Sequence, residues 1–148
     1  MKVYEKIIDN LFDNLPLSYT LNTQSKNITI DIVLEGGLFN GSYLVGVLMF
    51  IKKMEKKKYI KVNRISGCSV GSAIAFLYMI DKLEYCERLN SLFVTQLRTY
   101  KNLKILTSLE SLFHEINPDI KKINVKKILN NKLYISYYKF DSKRNCCT

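Results

Sequence analysis

The chain has 148 residues, which is enough for one domain with a single core and too few for two. Its 47% hydrophobic and 24% charged residues are typical of a globular protein. The longest apolar runs, residues 43–51 and 73–80, are about half as long as a membrane-spanning helix, and the N-terminus has no apolar signal region. We therefore expect no transmembrane segment, no secretory signal and a cytoplasmic location.

The net charge of +10 is compatible with a nucleic-acid or membrane partner, but the composition explains it better. Lysine accounts for 19 of the 23 basic residues, and the chain is rich in Asn, Ile and Tyr, a bias that an AT-rich genome produces. We expect no nucleic-acid partner. The densest basic run, residues 52–58, lies at a predicted helix end, where cations favour the helix dipole. It would also attract anionic lipid headgroups, so a peripheral membrane contact is expected.

The cysteines do not have the spacing of a metal site. They are Cys68, Cys86, Cys146 and Cys147. Without a secretion signal they are expected to be free thiols in a reducing compartment. No metal and no cofactor is predicted, and the sequence does not specify an oligomeric state.

In chain order, residues 1–27 are predicted to form an N-terminal helical extension and residues 28–148 to form one domain. Apolar residues at positions 3, 7, 8, 11 and 12 indicate a short amphipathic helix, which Pro16 and the polar run 22–27 end. Residues 28–34 are β-branched and almost continuously apolar, which predicts a strand buried on both faces of a parallel sheet. A glycine loop follows, and then a predicted helix over residues 43–54.

A second strand and helix follow, and then three further helices and a last strand. A strand is predicted over residues 61–65 and an apolar helix over 70–80. Helices are predicted over 83–97, 108–116 and 125–129, with Pro118 between the last two, and a strand over 133–140. This order of elements predicts an α/β fold with a mainly parallel central sheet.

Glycine is confined to one part of the chain. All six glycines lie between residues 36 and 71, at two strand-to-helix turns and in the helix between them. Glycine is needed where the backbone takes a positive φ or where another backbone approaches closely. The two turns are therefore the candidate functional loops.

The second turn has the pattern of a nucleophile elbow, Gly-x-Ser-x-Gly between a strand and a helix. Its residues are Gly67, Cys68, Ser69, Val70 and Gly71. Such a turn presents the serine hydroxyl at the end of the sheet, and its glycines are needed because a Cβ would collide with neighbouring backbone. Ser69 is thus the candidate catalytic nucleophile. The alternative is an ordinary tight turn in which Ser69 caps the helix.

The first turn precedes a helix and offers backbone N–H groups to an anion. A tetrahedral acyl intermediate requires such donors. The candidate oxyanion-hole residues are Gly36, Gly37, Leu38, Asn40 and Gly41. A P-loop is excluded because no Gly-Lys-Ser/Thr follows, and a Rossmann site is excluded because the glycine spacing is wrong.

Together the two turns resemble the patatin-like phospholipase family. The matching segments are residues 30–37 (Ile-Asp-Ile-Val-Leu-Glu-Gly-Gly), 41–48 (Gly-Ser-Tyr-Leu-Val-Gly-Val-Leu) and 64–73 (Arg-Ile-Ser-Gly-Cys-Ser-Val-Gly-Ser-Ala), and residues 132–136 resemble a later core strand. The resemblance implies a three-layer α/β/α fold. It also implies a Ser–Asp dyad, without histidine, that hydrolyses glycerolipid or phospholipid esters through an acyl-enzyme.

The sequence departs from the family pattern in two ways. Leu38 and Asn40 stand where the family has a glycine and an Arg or Lys. No Asp-Gly dipeptide is present, and Asp81, Asp119 and Asp141 lack the context of the family's dyad aspartate. Residues 28–148 are therefore expected to be the N-terminal part of a patatin-like domain, truncated before the region that carries the aspartate.

Three functional interpretations follow. The first is a lipid acyl hydrolase with Ser69 as nucleophile, and the second is a catalytically inactive relative that binds lipid or a partner protein. The third is an α/β-hydrolase or acyltransferase of another family that uses His114, the only histidine. A structural role is the simpler expectation for His114, because it lies among apolar residues on a predicted helix.

Overall fold

The computed structural model describes residues 2–15, 28–37, 40–101, 105–121, 124–141 and 144–147. A strand–helix–strand–helix order over residues 28–79 is followed by three further helices and then by three strands. The elements are α1 (Lys2–Asp13), β1 (Ile28–Leu34), α2 (Gly41–Lys56), β2 (Ile60–Cys68), α3 (Val70–Met79), α4 (Tyr85–Tyr100), α5 (Ile105–Ile120), α6 (Val125–Leu129), β3 (Leu133–Ser136), β4 (Tyr138–Asp141) and β5 (Arg144–Cys147).

Strands β1, β2 and β3 form a parallel sheet in that order, which confirms the predicted α/β class. Leu34 at the end of β1 pairs with Gly67 near the end of β2, and Gly67 pairs in turn with Ile135 of β3. Because the strands are parallel, their carboxyl ends lie at one edge of the sheet. The glycine loop after β1 and the turn after β2 therefore emerge side by side.

One face of the sheet is covered by helices, and the other face is exposed in the described part of the chain. On β1 the residues Ile30, Ile32 and Leu34 point to the core, whereas Val33 is 78% exposed. The expectation that this strand is buried on both faces is wrong. Asp31 lies on the exposed face, where it is paired with Arg64 of the neighbouring strand.

Helix α3 forms the centre of the core. Seven of its ten residues are buried, since it packs against the sheet on one side and against α2 and α4 on the other. This explains why the helix is apolar around its circumference instead of along one stripe. The fully buried side chains of the core come from four elements and include Leu48, Ile65, Leu77, Tyr78, Leu112 and Ile116.

The predicted N-terminal helix is α1, and it packs on the rest of the molecule. Phe12 stacks on Tyr59 with ring centroids 5.6 Å apart and contacts Phe50 at 6.0 Å. Lys53 lies over the Phe12 ring and forms an ion pair with Asp9. Helix α1 is therefore part of the same packed unit as the sheet. The expected break at Pro16 and the polar run 22–27 lie outside the described residues.

Two boundaries differ from those predicted for the C-terminal half. Pro118 does not separate two helices, because it lies inside the last turn of α5, where it removes only one backbone hydrogen bond. The strand predicted over residues 133–140 is two strands. β3 joins the parallel sheet, while β4 pairs with β5 in a separate antiparallel hairpin.

A buried polar network joins α2, α3 and β2. The Tyr78 hydroxyl donates a hydrogen bond of 2.5 Å to Glu55 Oε2, and Glu55 Oε1 accepts one of 2.9 Å from the Val62 N–H. Burial, followed by the hydrogen bond to Glu55, raises the pKa of Tyr78 well above its usual range. Tyr78 is therefore a neutral donor that holds the Glu55 carboxylate in place.

We expect Tyr78→Phe to lower the free energy of unfolding by about 1.5–3 kcal/mol, because it leaves a carboxylate oxygen without its donor. Tyr43→Phe is the control, since Tyr43 is 76% exposed and its change should cost less than about 0.5 kcal/mol. Urea denaturation followed by circular dichroism measures both. Equal stability of the two variants would contradict the structural role of the network.

Candidate active site

Ser69 lies between β2 and α3 in a backbone conformation that few residues other than glycine adopt. Its φ is 53° and its ψ is −126°. A non-glycine residue in such a region costs about 1–3 kcal/mol and persists only where the surroundings impose it. Ser69 is exposed, and its side chain makes no capping hydrogen bond to α3. The capping interpretation is therefore wrong, and the turn has the strained geometry of an elbow.

The two glycines of the elbow are required by close backbone contacts. A Cβ on Gly67 would lie 2.5 Å from the carbonyl carbon and oxygen of Gly71 and 2.7 Å from the Ser72 nitrogen. A Cβ on Gly71 would lie 2.6 Å from the Glu35 carbonyl oxygen. Any larger residue at either position would push α3 away from the strand ends. This confirms the steric reason for the Gly-x-Ser-x-Gly spacing.

Hydrogen bonds from Ser72 stabilise the elbow on its buried side. Its buried hydroxyl donates a hydrogen bond of 2.8 Å to the Gly67 carbonyl oxygen, and its N–H donates one of 3.0 Å to the Ser69 carbonyl oxygen. The first turn of α3 is thereby tied to the last residues of β2. The sequence indicated only that Ser72 is small, because its partner is a backbone group that the pattern does not show.

The glycine loop after β1 lies directly against the elbow. A Cβ on Gly36 would be 3.2 Å from Ser69 Cβ and 3.3 Å from both the carbonyl oxygen and Sγ of Cys68. Gly37 has a φ of 128°, which favours glycine. The Asn40 N–H donates a hydrogen bond of 3.1 Å to the Gly37 carbonyl oxygen, which closes the loop just before α2.

Helix α2 begins beside helix α3 at this edge of the sheet. An added Cβ on Gly41, its first residue, would lie 3.6 Å from Val70 Cγ1 and 3.5 Å from Ile74 Cδ1. The side chain of Asn40 makes no capping hydrogen bond. Two helix N-termini with their partial positive charges therefore lie close together next to Ser69. Among the candidate oxyanion residues, Leu38 lies outside the described part of the chain.

A cavity of about 160 Å³ lies between the first turns of α2 and α3 and the side of α4. Its lining residues are Gly41, Ser42, Val45, Val70, Ile74, Cys86, Glu87, Leu89, Asn90 and Phe93. The sequence did not predict this cavity, because its walls come from three helices whose packing the residue pattern does not show.

Neither Asp31 nor Asp81 faces Ser69. Asp31 is on the exposed sheet face, where hydrogen bonds from Arg64 and Asn63 hold the pKa of its carboxyl below the usual value. Asp81 follows the far end of the ten-residue helix α3, about 15 Å from the elbow, and pairs with Lys52 at 3.4 Å. Both carboxylates are therefore excluded as the partner of Ser69.

His114 is not brought to Ser69 either. His114 is exposed on α5 and borders a surface groove with Leu109, Phe113 and Asn117, none of which belongs to the elbow. Asp119 and Asp141 lie in α5 and β4, but their side chains are outside the described structure. The described residues also hold no group of three or more His, Cys, Asp or Glu side chains arranged to bind a metal ion.

None of the described helices combines the length and the apolar character that crossing a membrane requires. Cys68 and Cys86 are free thiols, the first exposed and the second buried. The side chains of Cys146 and Cys147 lie outside the described residues.

In comparisons with protein-family models, curated proteins and solved structures, the chain matches none of them. The resemblance to patatin-like phospholipases therefore stays a prediction that depends on the two turns.

We expect Gly67→Ala and Gly71→Ala each to destabilise the fold by about 3 kcal/mol, because the added methyl meets backbone atoms that cannot move aside. Gly46→Ala is the matched control. Gly46 lies inside α2 with nothing within 4 Å of an added Cβ, so alanine should stabilise the helix by about 0.5–1 kcal/mol. Thermal unfolding of the three variants measures the difference. If Gly67→Ala behaved like Gly46→Ala, the close contact at the elbow would not exist.

We expect Cys86 to resist alkylation in the folded protein. Burial, and secondarily the charge of Glu84, raises the pKa of the Cys86 thiol from 9.0 to about 12, so its thiolate is about a thousandfold rarer at mildly alkaline pH. Exposed Cys68 should react with iodoacetamide, and Cys86 should react only after denaturation, as peptide mass spectrometry can show. Equal modification of both thiols in the folded protein would contradict the burial of Cys86.

Proposed function

We propose that the chain is a patatin-like lipid acyl hydrolase in which Ser69 is the nucleophile. The observation that carries the proposal is the backbone of Ser69, whose φ of 53° is held between two glycines that admit no side chain. Its hydroxyl caps no helix and is exposed next to a glycine loop.

In the proposed reaction, Ser69 Oγ attacks the carbonyl carbon of a glycerolipid ester and its proton passes to a base. The carbonyl oxygen becomes an oxyanion that the backbone N–H groups of the loop over residues 36–41 stabilise, and one such donor contributes about 10²–10³ in rate. The alcohol leaves, and water then hydrolyses the acyl-enzyme. The described residues supply the nucleophile and residues 36–37 and 40–41 of this loop, whereas the proposed base is an aspartate outside them.

For the fold, the proposal includes the three-layer arrangement of patatin-like proteins. The exposed sheet face supports it, because Val33 and Tyr134 lie there uncovered by the described helices. A second layer of helices would bury these side chains. Contact with the membrane surface is also part of the proposal, since the substrate is a lipid.

We expect a fluorophosphonate probe to label the parent protein and not Ser69→Ala, because the probe reacts with activated serine hydroxyls. Ser111→Ala is the control, since Ser111 is exposed on α5 and its hydroxyl bonds only to the Thr107 carbonyl oxygen. Gel fluorescence quantifies the labelling. Labelling that survives in Ser69→Ala would assign the reactive group elsewhere.

A second function is favoured by one observation: no described carboxylate or imidazole accepts a hydrogen bond from Ser69. Without a base, serine is a poor nucleophile at neutral pH, and the chain would be an inactive protein that binds lipid or a partner. A folded parent that the probe does not label would support this second function. Loss of labelling in His114→Ala would instead indicate a histidine-dependent hydrolase.

A further inference from the structure

We propose that the cavity beside the elbow is the acyl-chain subsite and that it admits an acyl chain of about six carbon atoms. The inference rests on the proposed function and narrows its substrate from glycerolipids in general to esters with a short acyl chain. Its position is the first argument. Both Val70, the residue after Ser69, and Gly41, at the end of the candidate oxyanion loop, line it.

The distribution of polar groups in the cavity fits an ester substrate. The apolar lining of Val70, Ile74, Cys86, Leu89 and Phe93 is buried, with exposed fractions between 2% and 7%. The raised pKa of the Cys86 thiol keeps it uncharged there. The polar lining residues, Ser42, Glu87 and Asn90, are exposed at the rim. An acyl chain would therefore enter the apolar part while the alcohol portion of the ester stays in water.

The size of the cavity limits the length of the acyl chain that it can hold. Its volume of about 160 Å³ is close to the roughly 150 Å³ of an apolar protein cavity that holds one benzene molecule, which has six carbons. A long acyl chain of a membrane phospholipid would leave most of its methylene groups in water. Each methylene that does enter should tighten binding by about fourfold. Affinity should thus rise with chain length up to about six carbons and then stop rising.

The test measures binding without requiring catalysis. Methyl hexyl ketone and methyl dodecyl ketone are probes that resemble esters but cannot be hydrolysed, and methyl-group NMR of the isoleucine, leucine and valine residues follows their binding. Methyl hexyl ketone should shift the signals of Ile74 and Leu89, which line the cavity. Methyl dodecyl ketone should bind no more tightly, because its additional carbons find no apolar surface.

Two valine-to-phenylalanine substitutions in helix α2 form a matched pair that tests whether the ketone binds in the cavity. Val45 lines the cavity and is half-buried, so Val45→Phe should fill the space and weaken binding of methyl hexyl ketone by at least about tenfold. Val47 is 42% exposed and does not line the cavity, so Val47→Phe should bind like the parent. Phe93→Leu should enlarge the cavity and improve binding of the longer ketone, which keeps the proposal testable if Val45→Phe fails to fold.

The outcomes separate the two proposals. Failure of methyl hexyl ketone to shift these signals, or equal binding by Val45→Phe and Val47→Phe, would overturn the acyl subsite whatever the reactivity of Ser69. Ketone binding with the expected length limit, in a protein that the fluorophosphonate probe does not label, would support the subsite and leave the hydrolase proposal without its nucleophile.

Discussion

The site depends on backbone-to-backbone contact between the end of β2 and the start of α3. Gly67 and Gly71 make this contact possible, because a Cβ on either one would lie less than 3 Å from main-chain atoms. The contact brings α3 onto the strand ends, and the Ser72 hydroxyl holds it there. The strained backbone of Ser69 and the approach of Gly36 both depend on this one junction.

The two turns could be predicted from the sequence because their requirements are local. A position at which a Cβ would collide with its neighbours is visible in the sequence as a glycine. A serine placed between two such glycines is equally visible. The interactions that support the site are not visible in the residue pattern. Ser72 bonds to a main-chain oxygen, and the cavity needs α4 to fold back onto α2 and α3, so neither could be found before the tertiary structure was known.

The errors of prediction have physical causes as well. Thr29 and Asp31 interrupt an otherwise apolar strand, and they mark the exposed face of β1, where Asp31 meets Arg64. Pro118 was expected to end a helix, yet a proline in a last turn removes few hydrogen bonds. Residues 133–140 are mostly apolar or aromatic, and only the pairing partners decide that this segment divides between two sheets.

The conformation of Ser69 has a thermodynamic consequence for the two candidate functions. Glycine would adopt a φ of 53° without strain, so the serine lowers the stability of the folded chain by about 1–3 kcal/mol. Its hydroxyl makes no capping bond that would offset this penalty. Selection for stability alone would favour glycine at this position. A protein whose elbow had no catalytic role would become more stable if glycine replaced Ser69. A serine at this strained position therefore favours the proposed nucleophile over the inactive alternative.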